Sequence, residues 1–173
     1  MYLISIYFDE KTTKRIQGYI DNIAKKTGNT FMTNGNVLPH ITISAFETQN
    51  ESEAIDKFQN GIKKIKSENI QLVSVGMFLP YVIYITPVLN EYLYELQCVF
   101  YEEIKNINDI KIRSNYTPFN WLPHITVGKK LSTEEMKIAF NVMQNQFGAF
   151  EGKVTKIGLA KTNPYYDIIT YEL

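Results

Sequence analysis

Residues 38–42 read Leu38-Pro39-His40-Ile41-Thr42, and residues 122–126 read Leu122-Pro123-His124-Ile125-Thr126. The same pentapeptide thus occurs twice in a chain of 173 residues, and it carries the chain's 2 histidines. The copies lie 84 positions apart (124 − 40), about half the chain. Successive side chains of a strand point to opposite faces. If each copy is a strand, His40 and Thr42 share one face with Ser44, and Ile41 and Ile43 share the other. His124 and Thr126 likewise share a face, opposite Ile125 and Val127. The isoleucine face can be buried against helices, which leaves the His/Thr face free to line a groove. Pro39 and Pro123 lack an N–H and have a fixed φ, so both suit the start of a strand.

Outward from the two copies, the flanking patterns repeat as well. Before the first copy, Tyr2–Phe8 reads as a strand, and Ile16, Ile20 and Ile23 mark a helix that Gly28 ends. The strand of the first copy covers 37–46. Ile55, Phe58, Ile62 and Ile65 then keep helical spacing, and 70–79 is a strand broken by Pro80. The second half replays this order. Residues 81–86 form a strand, and Leu93, Leu96, Phe100 and Ile104 mark a helix capped by Asn90. A mixed polar and aromatic loop spans about 106–121. The strand of the second copy covers 122–128. Ser132 and Glu135 make a capping box for a helix carrying Met136, Phe140, Met143 and Phe147. Strands at 153–161 and 165–172 close the chain around an Asn163-Pro164 turn. No Gly-, Ser- or Pro-rich linker separates the halves. The expected fold is α/β (α+β): one domain over 1–173 with two lobes, roughly 1–80 and 81–173. The βαβαβ unit is duplicated, one copy to each lobe, and two antiparallel-rich sheets flank a central cleft.

Composition narrows the function. Lys and Arg number 18 and so do Asp and Glu, so the formal net charge is zero. That argues against broad, sequence-independent binding of long duplex nucleic acid, which feeds on a large basic surface. A nucleotide or short oligonucleotide held in a local pocket remains compatible. The single cysteine, Cys98, forms no internal disulfide or zinc cluster and fits a reducing cytoplasm. It reads as a buried thiol of a helix. The N-terminus lacks the pattern of a signal peptide, and no apolar run of ~20 residues suggests a membrane span. A cytoplasmic monomer is expected.

The chemistry follows from the two His/Thr faces meeting across the cleft with a phosphate ester between them. One neutral imidazole can take a proton from an attacking water or hydroxyl. The other, as imidazolium, can give a proton to the leaving oxygen. The hydroxyls of Thr42 and Thr126 can donate to the non-bridging phosphate oxygens as their charge grows. Two histidines fall short of the three or four ligands of a typical zinc site, and no carboxylate stands in register with them. Neither copy is a nucleophile elbow. Phe119 and Trp121 precede the second copy, where an aromatic could stack on a base or pack the loop onto the core. Lys129 could neutralise phosphate charge, and Tyr165 could overhang the site. The Lys63–Lys66 run reads as the exposed face of a helix.

The duplicated His-x-Thr pattern, half a chain apart within repeated βαβαβ units, resembles the two-histidine (2H) phosphoesterase superfamily, which includes RNA 2′,5′-ligase-like proteins and RNA 2′,3′-cyclic phosphodiesterases. The likeness spans nearly the whole chain. It implies a bilobal fold and a metal-independent reaction that needs no cofactor, either opening of a 2′,3′-cyclic phosphate or reversible chemistry on a 2′,5′ linkage. The family's catalytic histidines map to His40 and His124, and its phosphate-holding hydroxyls to Thr42 and Thr126. Many members carry an arginine just after the second motif, where this chain has Lys129 and Lys130. The implied partner is a small nucleotide or an RNA end bearing a cyclic phosphate. The alternatives are a nucleotide sensor that keeps the pocket without turnover, and RNA ligation by the reverse reaction.

Overall fold

The computed structural model describes residues 1–35 and 37–173. Its strands are β1 (Tyr2–Phe8), β2 (His40–Glu47), β3 (Glu68–Phe78), β4 (Val82–Pro87), β5 (Lys111–Ile112), β6 (Ile125–Lys129), β7 (Phe150–Lys161) and β8 (Tyr166–Glu172). Its helices are α1 (Glu10–Thr27), α2 (Phe31–Asn34), α3 (Glu51–Ile62), α4 (Glu91–Ile104) and α5 (Thr133–Gln146), with a 3-10 turn at Ser114–Tyr116.

Local chemistry sets the helix ends. Asp9 starts α1 by accepting the Thr12 N–H at 2.9 Å, and Gly28 stops it at φ 77°, a left-handed conformation that costs glycine little. Asn90 caps α4 through the Leu93 N–H. Ser132 and Glu135 form the reciprocal capping box expected of α5. The helix α3 ends at Ile62, so Lys63–Lys66 lies beyond it rather than on its face. Lys64 there pairs with Glu103 of α4 at 2.7 Å, and Ile65 still packs on the core.

All eight strands belong to one antiparallel sheet with the order β5-β2-β1-β7-β3-β4-β6, and β8 pairs with β7. The two expected sheets are therefore two blocks of a single sheet. The long β7 joins them: its N-terminal part pairs with β3, and its remainder pairs with β1. The third strand of each sequence half adds to the block begun by the other half, since β3 pairs with β4 while β7 pairs with β1. α1 packs on α5, and α3 on α4. Ile4, Ile6, Ile41, Ile83, Ile125 and Ile157 are fully buried in one continuous apolar core with Ile16, Phe58, Phe100 and Met143 from the helices.

The sheet curls. β2 and β6 have four strands between them in the order, yet they approach each other directly. This curl brings the two motif-bearing strands together.

Candidate active site

The two copies of the motif are built alike. In the first, His40 pairs with Tyr7 and Thr42 with Ser5 across β1. A bulge then shifts the register, so that Ser44 pairs with Ile4. In the second, Thr126 pairs with Tyr84 across β4, and a bulge shifts Gly128 opposite Ile83. Each bulge falls directly after the motif threonine. Its extra residue is Ile43 in one copy and Val127 in the other, both fully buried.

The bulges correct one expectation and explain another placement. Ser44 does not continue the His40/Thr42 face. It lies on the Ile4 side, buried, with its Oγ lacking a hydrogen-bond partner. Strict alternation fails there because the bulge inserts one residue. At the corresponding position, Gly128 faces Ile83 and Leu131, where a Cβ would come within 2.8 Å of Ile83 Cγ2. Beyond the bulge, Lys129 pairs with Val82. Val82 is two residues from Tyr84 and so lies on the same face as Thr126.

Each imidazole is oriented by its own motif. His40 Nδ1 lies 2.7 Å from the Leu38 carbonyl, and His124 Nδ1 lies 2.8 Å from the Leu122 carbonyl. A carbonyl oxygen only accepts, so Nδ1 carries the proton in both rings. Each neutral ring therefore keeps Nε2 as its free basic nitrogen. Both rings are partly buried.

The surroundings tune them. Burial lowers the pKa of His40 below the usual histidine value, and the Leu38 hydrogen bond opposes this. Charge at His124 and Lys129 lowers it further, while the Asp167 carboxylate raises it. His124 is also lowered, first by burial and then by Lys129, against the Leu122 hydrogen bond. Lys129 thus acts on both histidines, and His124 acts on His40.

Aromatic walls distinguish the two sides. His40 faces the Tyr7 ring at 5.9 Å. The Tyr7 hydroxyl lies 2.9 Å from the Tyr165 hydroxyl, which donates to Asp167 Oδ1 at 3.2 Å. Tyr7 therefore donates to Tyr165, and burial pushes its phenol well above the usual tyrosine range. His124 sits between Phe78, edge-on at 4.9 Å, and Tyr84 at 5.3 Å. Tyr7, Phe78 and Tyr84 were not singled out from the sequence. Only strand pairing reveals them, although alternation from Ile4 and Ile6 would have set Tyr7 on the face opposite the core.

One contact ties the copies together, and two more hold the motif residues to neighbouring strands. Trp121 is buried, and its Nε1–H donates to the Thr42 carbonyl at 3.0 Å. The residue before one motif is thereby pinned to the threonine of the other. Thr86 Oγ1 donates to the Pro123 carbonyl at 2.9 Å. Thr42 Oγ1 lies 3.3 Å from Ser5 Oγ. Of the two aromatics proposed for stacking, Trp121 is therefore packed inside. Phe119 is 88% exposed at φ 66° beside the Tyr94 ring. The loop that carries them is not structureless: β5 pairs with β2, and buried Gln97 donates to the Tyr116 carbonyl at 2.7 Å. Cys98 is partly buried on α4.

Among the described residues, no three His, Cys, Asp or Glu side chains converge as metal ligands. No helix among them is long and apolar enough to cross a membrane.

Residues 14–164 match the family described as the 2'-5' RNA ligase superfamily. No curated protein matches the chain. Among solved structures, E. coli LigT complexed with 3'-AMP aligns with 14% identity and a TM-score of 0.65, covering 99% of this chain and 97% of that one. A crystal structure described as a phosphoesterase aligns with 17% identity, a TM-score of 0.63 and the same coverage. E. coli LigT complexed with phosphate aligns with 17% identity and a TM-score of 0.56, covering 99% and 96%. At these identities the likeness is one of fold.

Proposed function

This chain belongs to the 2'-5' RNA ligase superfamily, and from that premise we propose that it is a metal-independent phosphoesterase that opens a 2′,3′-cyclic phosphate on a nucleotide or an RNA end. The observation that carries the reading is the mirrored pair of imidazoles, each with Nδ1 tied to the carbonyl two residues upstream and Nε2 left free. A structural histidine would need no such symmetry. Solved structures of the same fold hold 3'-AMP and phosphate, which supports a phosphate-bearing nucleotide as the ligand class.

The reaction assigns a role to each group. Nε2 of one neutral histidine takes a proton from water as the water oxygen forms a bond to phosphorus. The P–O2′ or P–O3′ bond breaks, and the departing ribose oxygen receives a proton from Nε2 of the other histidine, which begins as imidazolium. One proton enters the pair and one leaves it, so the enzyme is restored after proton exchange with solvent. Each transfer contributes typically ~10²–10⁴-fold. Thr42 and Thr126 donate to the non-bridging oxygens, and Lys129 balances their charge. Lys129 supplies that charge without the bidentate fork of an arginine. Phe119 offers a face for a base, and Tyr165 supports Tyr7, the ring that faces His40.

The test is turnover of the four nucleoside 2′,3′-cyclic phosphates with EDTA present, for the wild type and for His40→Ala and His124→Ala. Turnover by the wild type alone supports the reading, and the ratio of 2′- to 3′-phosphate shows which bond breaks. Turnover that survives either substitution overturns it. Tight nucleotide binding without turnover would favour a sensor instead.

A further inference from the structure

Lys129 connects the histidine pair to a separate cavity of about 510 Å³ at the end of β4 and β6. Its walls include Tyr81, Val82, Lys130, Leu131 and Glu135. On the premise of the proposed function, we infer that this cavity is a subsite for the second nucleotide of an oligoribonucleotide, the one preceding the nucleotide that bears the cyclic phosphate.

The spacing fits. The Thr126–Tyr84 row and the Lys129–Val82 row are two residues apart on β4, about 7 Å at strand rise. That is close to one nucleotide step along a single strand. Phe78 pairs with Val82, and its ring stands beside His124, so it bridges the two rows. A chain leaving the histidines would pass Phe78, 39% exposed, and then meet Tyr81, 61% exposed, at the cavity.

The chemistry fits as well. Single-stranded nucleic acid is held by aromatic faces on which bases stack and by cations that track the backbone. Here Tyr81 supplies an aromatic face, while Val82 and Leu131 supply an apolar floor. Lys129 and Lys130 supply charge, and neither is in an ion pair among the described residues. Lys130 Nζ lies 4.4 Å over the Phe31 ring, which holds it at the rim. The Glu135 carboxylate, held ionised by the Ser132 N–H at 2.6 Å and facing Asn29, offsets one of the two lysine charges, so the lining keeps a net positive charge. A volume of about 510 Å³ lies within the range of ligand pockets, ~300–1,000 Å³.

The experiment compares kcat/KM for a nucleoside 2′,3′-cyclic phosphate with that for a dinucleotide ending in the same cyclic phosphate. The expected result is an advantage of about tenfold for the dinucleotide, the lower part of what one base–aromatic stack gives. Tyr81→Ala and Lys130→Ala should each erase most of that advantage while leaving mononucleotide turnover unchanged. Equal kcat/KM for both substrates in an active wild type overturns the subsite and leaves the proposed function standing. If neither substrate turns over, the proposed function fails. The subsite is then read by calorimetry with a dinucleotide 3′-phosphate and a mononucleoside 3′-phosphate. Tighter dinucleotide binding that Tyr81→Ala abolishes supports it, and equal affinities overturn it.

Discussion

The wall beside His124 can be tested by adding one methyl group. Gly76 of β3 pairs with Tyr84, and a Cβ at Gly76 would lie 2.5 Å from Cε2, Cζ and Oη of Tyr84. The Tyr84 ring lies over the glycine, 4.3 Å from Phe78 and 5.3 Å from His124. Gly76→Ala must therefore displace the ring rather than compress it. Two terms oppose each other. Replacing a strand glycine by alanine gains ~0.5–1 kcal/mol from the unfolded chain. Forcing a packed aromatic aside costs ~1–3 kcal/mol. The net runs from about zero to a loss of ~2.5 kcal/mol, a fall in Tm of up to about 10 °C for a chain of this size. Activity should suffer more, because Tyr84 and Phe78 flank the His124 ring on two sides. An imidazole displaced by ~1 Å can cost up to ~10²-fold in kcat. The assay pairs thermal melting with kcat on a 2′,3′-cyclic nucleotide. Gly18→Ala serves as the control, since Gly18 lies within α1 with nothing near its Cβ position. It should raise stability by ~0.5–1 kcal/mol and leave kcat unchanged. If Gly76→Ala melts and turns over like the wild type, Tyr84 does not cover Gly76 and the described wall is wrong.

Other substitutions probe the connections around the motifs. Trp121→Phe removes the N–H donated to the Thr42 carbonyl. It should cost ~1–3 kcal/mol by chemical denaturation and lower kcat, while a stability loss with unchanged kcat would reduce Trp121 to a packing residue. Lys129→Gln removes a charge that lowers the pKa of both histidines. The limbs of the kcat/KM profile should move to higher pH and the maximum rate should fall. Limbs that stay in place would mean that Lys129 does not face the pair. Because burial holds both histidine pKa values below the unfolded value of about 6.5, the unfolded chain binds protons first as pH falls. The stability these rings contribute is present above that value and lost as pH falls through the lowered folded values. Urea midpoints measured across this window should show that loss in the wild type and a smaller one in the His40→Gln/His124→Gln double variant.

Much of this was legible in the chain because the decisive signals are local. Gly28, Asn90 and the Ser132/Glu135 pair fix helix ends through contacts within four residues. The repeated pentapeptide marked both strands of the site. What was not legible depends on partners far along the chain. The joining of two blocks into one sheet rests on β7 pairing with both β1 and β3, which no local pattern announces. The short β5 is two residues long and exists through its pairing with Phe46 and Glu47. Trp121 could be read either as a stacking face or as a core residue until its hydrogen bond to Thr42, 79 residues away, decided between them.

The bulges show how one duplicated segment yields an asymmetric site. Both copies insert a buried residue after the threonine, so both turn the following position inward. The outcome then depends on what stands there. In the first copy it is Ser44, a buried hydroxyl without a partner, followed by Ala45. In the second it is Gly128, whose missing Cβ lets Ile83 and Leu131 close in, followed by Lys129. The same backbone device thus puts a small buried alanine after one motif and a cation beside the histidines after the other. Tyr7, Tyr165 and Asp167 stand on the His40 side, and Phe78 and Tyr84 on the His124 side. Of the flanking charges, Lys129 disfavours the protonated form of both rings, while Asp167 favours that of His40. Two identical pentapeptides therefore present their imidazoles among different neighbours, although burial lowers the pKa of both.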